Sequence, residues 1–426
     1  MIFLTKRIKS GALQFTIFIG VVIAIILSGL LLLYYTHNFF IQQNNFAIAN
    51  IGLANNAMET LCSKNINVSD TLPVNLQSTD VGQNAKRIIS HWGIYEKAFV
   101  VVNHRKKIYT KSALIGSCQG KQKRPALYLQ ETYNPLAVVG KTHIEGTAYL
   151  PNQGITTGYI LGDGYFNSQL LYGQKLVSSQ KLPKLKYDYK KVLGFYLNKY
   201  APKKALDYIE FFARKKIINS FNKPVKGFFS NDVIVLDNIK LYGNIIIRSS
   251  SKIIVKKNAL LNDIIIAAPE IIIEDDVKGN FQAFATKSIE TGENCLLNYP
   301  SALVISRDND NNKYQDSNTY CITINKGTSI FGTIGYLESD VKSDFKNNIF
   351  IDTNCLIKGE VYCNANFEMR GTIYGSVYTS QFLANREGTI FTNHLYNVEI
   401  NNSKLYDGYG GILLYDEPKS IMKWLY

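Results

Sequence analysis

"NDIIIAAPEIIIEDDVKGN", residues 262–280, holds two isoleucine triplets on either side of Pro269, with an asparagine at each end. It is no membrane span, because Asp263, Glu270 and Glu274 interrupt a run already too short. Six isoleucines and a proline argue against a helix. Two short strands joined by a corner fit. A shift of eighteen residues aligns Asn244, Asn262, Asn280 and Asn298 in one column. The same shift aligns Val235, Ile253, Ile271 and Ile289, then Leu241, Ala259, Val277 and Cys295, then Ile247, Ile265 and Ala283. Together these columns place an apolar residue at every sixth position from Val235 to Cys295.

Residues i and i+2 of a strand face one side, so three six-residue steps make a triangular coil of eighteen. The sequence therefore predicts a parallel β-helix solenoid in the C-terminal half, with identical positions stacked along its axis. The four asparagines are expected to form a hydrogen-bonded ladder at one corner. The hexad returns at Phe345, Ile351, Ile357, Cys363 and Met369, with shorter fragments at Ile324, Ile330, Tyr336 and at Val138, Ile144, Leu150. The polar stretch "SRDNDNNKYQDSN", 306–318, reads as an insertion between coils. One place after each hexad residue stand Leu236, Tyr242, Arg248, Ile254, Leu260, Ile266, Ile272, Lys278 and Phe284. That column should face outward. Its apolar members Leu236, Ile254, Ile272, Leu260, Ile266 and Phe284 make a candidate interface for a protein partner or for self-association.

Away from the repeat, "ALQFTIFIGVVIAIILSGLLLLYY", Ala12–Tyr35, carries no charge and is long enough to span a bilayer. Lys6, Arg7 and Lys9 precede it, and the next formal charge is Glu59. The positive-inside rule puts the N-terminus in the cytoplasm, so the lipid bilayer is a partner and the rest of the chain lies outside. The expected location is the inner, cytoplasmic membrane, single-pass, with the bulk periplasmic or extracellular. Disulfides are then permitted, and Cys62 with Cys118 is the candidate pair. Cys295 and Cys363 fall on inward hexad positions and read as small buried residues.

The formal net charge of +14 is concentrated in one segment. Between Lys175 and Lys226 stand 14 Lys/Arg and three acids, Asp188, Asp207 and Glu210. "KKALDYIEFFARKKIINSF", 203–221, has a helical apolar pattern there. Such a segment can touch anionic lipid or glycan, or pack on the solenoid as a solvated helix. No nucleic-acid partner is expected for an exported region.

No G-x-S-x-G, H-E-x-x-H or Walker loop occurs, and the five histidines are scattered. Asp308, Asp310 and Asn312 begin like a calcium loop, but Lys313 and Thr319 stand where its glycine and glutamate belong. The tight acidic cluster Glu274–Asp276 faces Lys256 and Lys257 one coil earlier, which suits a cross-coil salt ladder as well as catalysis. No enzyme activity, metal or cofactor is expected.

The fold class is thus mostly β, with an N-terminal transmembrane helix, a small mixed α/β region and a C-terminal parallel β-helix of 18-residue coils. The divisions are a stub 1–11, a span 12–35, a stalk helix and linker 36–88, and a β-rich region 89–174. A basic helical segment 175–227, the β-helix 228–405 and a tail 406–426 follow. A hairpin is expected around Asn103–Lys106.

The units "IEGTA" (144–148), "IFGTI" (330–334), "IKGEV" (357–361) and "MRGTI" (369–373) resemble those of bactofilins, polymer-forming bacterial scaffold proteins. "KRIKSG", ending at Gly11 before the uncharged span, resembles a type IV pilin or pseudopilin leader, with Thr16 where pilins usually carry glutamate. The first resemblance implies a membrane-anchored scaffold or assembly protein of the cell envelope. The second implies a minor pilin-like subunit of a secretion or uptake apparatus. A glycan-active β-helix enzyme is the third reading.

Overall fold

The computed structural model describes residues 10–63, 71–73, 83–104, 107–120, 123–198, 207–208, 215–307, 321–338, 345–415 and 417–425. A single helix, α1 (Ser10–Ser63), contains the apolar run and continues past it without a break. Its most apolar stretch has a mean hydropathy of 2.9 and none of it is buried, so it is long and apolar enough to cross a membrane. The last three turns behave differently. Ala54, Ala57, Met58 and Leu61 follow the i, i+3, i+4, i+7 pattern and are fully buried.

They pack on an antiparallel sheet of β1 (Thr71–Pro73), β2 (Gln83–Trp92), β3 (Tyr95–His104), β4 (Lys107–Ser117) and the C-terminal strand Lys419–Leu425, in that order. Ala98, Val100 and Val102 alternate along β3 toward the helix, with Ala85, Ile89, Ala113 and Ile115 beside them. The two alanines of α1 let the helix sit close. β3 and β4 are the strands of the expected hairpin; residues 105 and 106 of its turn lie outside the described residues. The tail at 406–426 is not an appendage: its last seven described residues are the strand that pairs with β4.

Between β4 and that strand, the described strands from Leu127 to Asn401 build a closed, barrel-like tube of mostly parallel strands. Three ladders run along it. Ile253 pairs with Ile271 and Ile271 with Ile289, each eighteen residues on. Leu261 pairs with Gly279 at the same interval. A uniform eighteen is not kept elsewhere. Ile234 pairs with Ile253, Leu241 with Leu261, Ile289 with Ile322, and Ile357 with Ile373. Across these unequal coils the core stays one continuous isoleucine-rich column.

The tube is not continuous in sequence. Residues 216–401 climb it in order, and the chain before them supplies its far end. Leu127–Leu129 pairs with Val377–Thr379, and His143–Glu145 with Glu399–Asn401. Ala148–Leu150 and then Lys175–Val177 add on top. Val138, Ile144 and Leu150, the early hexad fragment, are therefore buried in the tube core rather than in a separate region. The chain then returns along the outside through α2 (Tyr189–Leu197). The helix expected at 203–221 lies mostly outside the described residues. Its described parts, Asp207–Tyr208 and Lys216–Asn219, are strands that pair with the tube.

Three stacked glycines explain why the I-x-G-x-V units recur. Gly332, Gly359 and Gly375 pair in register with φ near 150°, a region that suits glycine. A Cβ on Gly359 would collide with the carbonyl oxygen of Gly332. Gly371 of "MRGTI" sits outside this column, and Gly375 of "IYGSV" takes the place instead. Gly359→Ala is therefore expected to lose about 1–3 kcal/mol from the backbone alone, more than Gly335→Ala, whose Cβ meets only the Val304 side chain at 3.3 Å. Urea denaturation of the two variants checks the ordering.

Candidate assembly site

The ladder of residues 245–249, 264–268, 281–285, 301–306, 333–338, 360–363 and 376–379 is the wall of the tube that the rest of the molecule covers. Ile246, Ile265, Ala267, Phe284, Ala302 and Val304 face outward from it and are buried. Tyr189, Leu193 and Tyr196 of α2 pack on them, as do Trp92, Ile94 and Tyr95 from the β2–β3 turn and Ile412 and Leu414 near the C-terminus. Polar groups fix this seam. Gln282 accepts from the Ile94 N–H at 3.1 Å and donates to the Trp92 carbonyl at 3.0 Å. The Tyr95 hydroxyl lies 3.0 Å from Thr333 Oγ1. Burial pushes the Tyr95 hydroxyl well above its ordinary range, so it remains a donor.

Two ion pairs hold the C-terminal strand, one within the sheet and one to the tube. Lys419 Nζ lies 2.8 and 2.7 Å from the two oxygens of Glu96, and both side chains are almost wholly buried. Tyr187 donates to Glu96 as well, and Lys186 stands 3.9 Å away. Lys423 Nζ reaches Asp263 at 2.6 and 2.8 Å. Both lysines come from the C-terminal strand, so closing the sheet and seating it on the tube are one event.

Asp263 also decides where the sequence-derived columns go. It has φ of 60°, and the ladder slips one residue between Asn262 and Ile264. One extra residue turns the side chains after it to the other face, until a second slip between Ala268 and Glu270 restores the register. Ile266 thus points into the core, while Ile265, read as inward, lies on the covered wall with Phe284. The interval of nineteen between Ile234 and Ile253 does the same to the first coil. Leu236 is buried in the core and Val235 faces out, 48% exposed. The line that stacks on the outside is Val235, Ile254 and Ile272, of which the last two are half-buried. Leu260 lies on a different wall. The six candidate interface residues therefore do not share one face.

The asparagine ladder is corrected in the same way. Of the four, only Asn262 and Asn280 are opposite each other; Asn262 pairs on its other side with Tyr242, not Asn244. Asn244 donates to the Lys223 carbonyl at 2.8 Å and Asn280 to that of Tyr299 at 3.1 Å. Asn298 is exposed. Asn244 and Asn280 thus cap backbone carbonyls, and Asn280 also donates to Asp263 Oδ1 at 3.3 Å. A different column has the special geometry. Asn238, Asp276, Asn294 and Asn354 all take φ between 49° and 58°, and each precedes a buried residue: Ile239, Val277, Cys295 or Cys355. Asparagine and aspartate tolerate this left-handed turn better than other side chains. The recurrence of -N-C- at 294–295 and 354–355 was the available signal.

Glu274 and Asp276 meet Lys256 and Lys257 at 3.7 and 2.9 Å, and Asp275 accepts from the Glu293 N–H at 2.7 Å. All three carboxylates are engaged. Asp308, Asp310 and Asn312 lie outside the described residues. Among the described residues no group of three or more His, Cys, Asp or Glu is placed to hold a metal. Cys62 and Cys118 are free thiols; Cys62 packs at the base of α1 and Cys118 lies against the Asp407 carbonyl. Cys295 and Cys363 are buried in the tube.

No protein-family model and no curated protein matches the chain. Among solved structures it is similar to the competence-associated pilin ComZ from Thermus thermophilus, at 8% identity over 85% of this chain and 87% of that one, with a TM-score of 0.19. So low a score superposes no common core, and no residue is transferred from it.

Proposed function

We propose that this chain is a membrane-anchored, pilin-like subunit that displays a parallel β-helix outside the cytoplasm. The observation that carries the reading is α1. Its apolar half is bare, while Ala54, Ala57, Met58 and Leu61 lock the other end into an antiparallel sheet. A mere anchor needs no rigid coupling to the domain beyond it. A helix that serves as both anchor and assembly spine does. The bare half is free to pack in the bilayer or against the helices of neighbouring subunits. The exported domain then acts by display and assembly, with no catalytic step.

The envelope scaffold remains the second reading. It is favoured by the outward line Val235, Ile254 and Ile272, which offers apolar surface to a partner or a second copy. The two readings differ at the N-terminus. A pilin-like subunit should be cut after Gly11, leaving Ala12 as the first residue of the mature chain. Mass spectrometry of the N-terminal peptide from membranes checks this. An intact Met1 or Ile2 terminus would leave the scaffold and remove the pilin-like subunit. The topology has its own test. A reporter fused after Tyr426 should be active only outside the cytoplasm.

A further inference from the structure

The ladder of residues 216–219, 240–243, 260–262, 278–280 and 296–298 forms a wall that none of the described residues covers at its near end. Lys216 pairs in register with Lys240, and Lys240 with Leu260; Lys278 follows on the next strand. Like charges directly opposite on a ladder repel; Lys216 and Lys240 stand about 4.8 Å apart, and Lys278 lies two strands from Lys240 with Leu260 between them. Lys216, Lys240 and Lys278 are all exposed, and none has an ion-pair partner among the described residues. Lys223 stands exposed at the opposite edge of the same wall. Between the two edges lie Ile218, 59% exposed, and the half-buried ring of Tyr242, paired in register. Of the acids along the adjoining corner, Glu274 pairs with Lys256, Asp276 with Lys257 and Asp275 with a backbone N–H, while Asp237 and Glu293 stand exposed.

We infer that this wall binds a linear anionic polysaccharide, its acid groups along the Lys216–Lys240–Lys278 row and its sugar faces on Tyr242 and Ile218. The repulsion between Lys216 and Lys240 is relieved by a ligand that carries repeated negative charges. Anionic lipid fits less well for a reason of distance. Phe221, beside this wall, packs on Trp92 at 5.3 Å, at the end of the sheet that carries Glu96. That end of the sheet lies by the last turn of α1, where Cys62 stands close enough to Glu96 and Lys419 to feel both charges. Along the helix, Leu61 stands about 40 Å beyond Tyr35, the end of the apolar run. A bilayer around that run is out of reach of the lysines. The inference rests on the exported topology proposed above only for where the ligand would be met.

The test uses the full chain in nanodiscs of uncharged lipid, with polygalacturonate as probe and binding read by biolayer interferometry. The expected result is saturable binding that weakens with salt. Lys216→Glu with Lys240→Glu should weaken it roughly ten-fold or more at about 0.1 M salt, with no change in melting temperature. Lys252→Glu, on another wall and already paired with Glu270, should leave it unchanged. If the double variant fails to fold, Lys240→Ala with Tyr242→Ala must show the same loss. Absence of binding, equal binding by the row variants, or tighter binding of single-stranded DNA than of polygalacturonate would overturn the inference. None of these outcomes bears on cleavage after Gly11, so the two proposals fail separately.

Discussion

Lys419→Met should destabilise the protein by about 3–5 kcal/mol, because it strands the Glu96 carboxylate in a site with no solvent. That is a large share of the roughly 5–15 kcal/mol that holds a typical domain together. Lys186, at 3.9 Å, is too far to replace two contacts under 3 Å. The damage should be directional. The C-terminal strand should lose hydrogen-exchange protection first, followed by β4 and then the helix face at Ala54–Leu61. Glu96→Gln with Lys419→Met removes both charges and should recover most of the loss, since a neutral amide costs far less to bury. A single variant within about 1 kcal/mol of the wild type would mean that the pair contributes no more than a surface contact. The account of how the strand closes the sheet would then fail.

A pH-dependent loss of stability is expected at Glu360. This side chain sits under the segment that crosses the covered wall and accepts from the Ile412 N–H at 2.9 Å. Burial pushes its carboxyl from 4.5 up to about 7, against the opposing pull of that N–H and of Arg124, while Glu417 pushes the same way as burial. The folded value is the higher one, so the folded protein binds the extra proton. Stability from this group is full below pH 4.5, falls between 4.5 and about 7, and is flat above. The loss over that window is on the order of 3 kcal/mol. Glu360→Gln should abolish it and leave the variant more stable than the wild type at pH 8, with little difference at pH 4.5. Denaturation midpoints of both proteins at the two pH values check this. A wild-type-to-variant difference that does not change with pH would show that Glu360 keeps the same protonation state throughout.

The features legible in the residues were those set by local pattern. An uncharged run of 24 residues makes α1 apolar whatever surrounds it. The columns Ile253, Ile271 and Ile289 were readable because those coils are equal in length. Tertiary structure decided what depends on counting through corners. One extra residue at Asp263, and one more between Ile234 and Ile253, exchanged inward and outward faces, moving Leu236 and Ile266 into the core and bringing Val235 out. Period-two alternation reports which residues share a face, never which face that is.

Contacts between distant parts of the chain were equally silent. Nothing local tells Leu127–Leu129 to pair with Val377–Thr379, or Lys419 to seek Glu96. Those choices follow from burying the apolar outer wall at Ile246, Ile265 and Phe284, which α2, the β2–β3 turn and the C-terminal segment cover together with Phe221 and Tyr187. The hydrophobic effect has no direction along the sequence. The residues alone determined that an apolar outer surface exists, and the assembled fold determined which one is covered and which is left open.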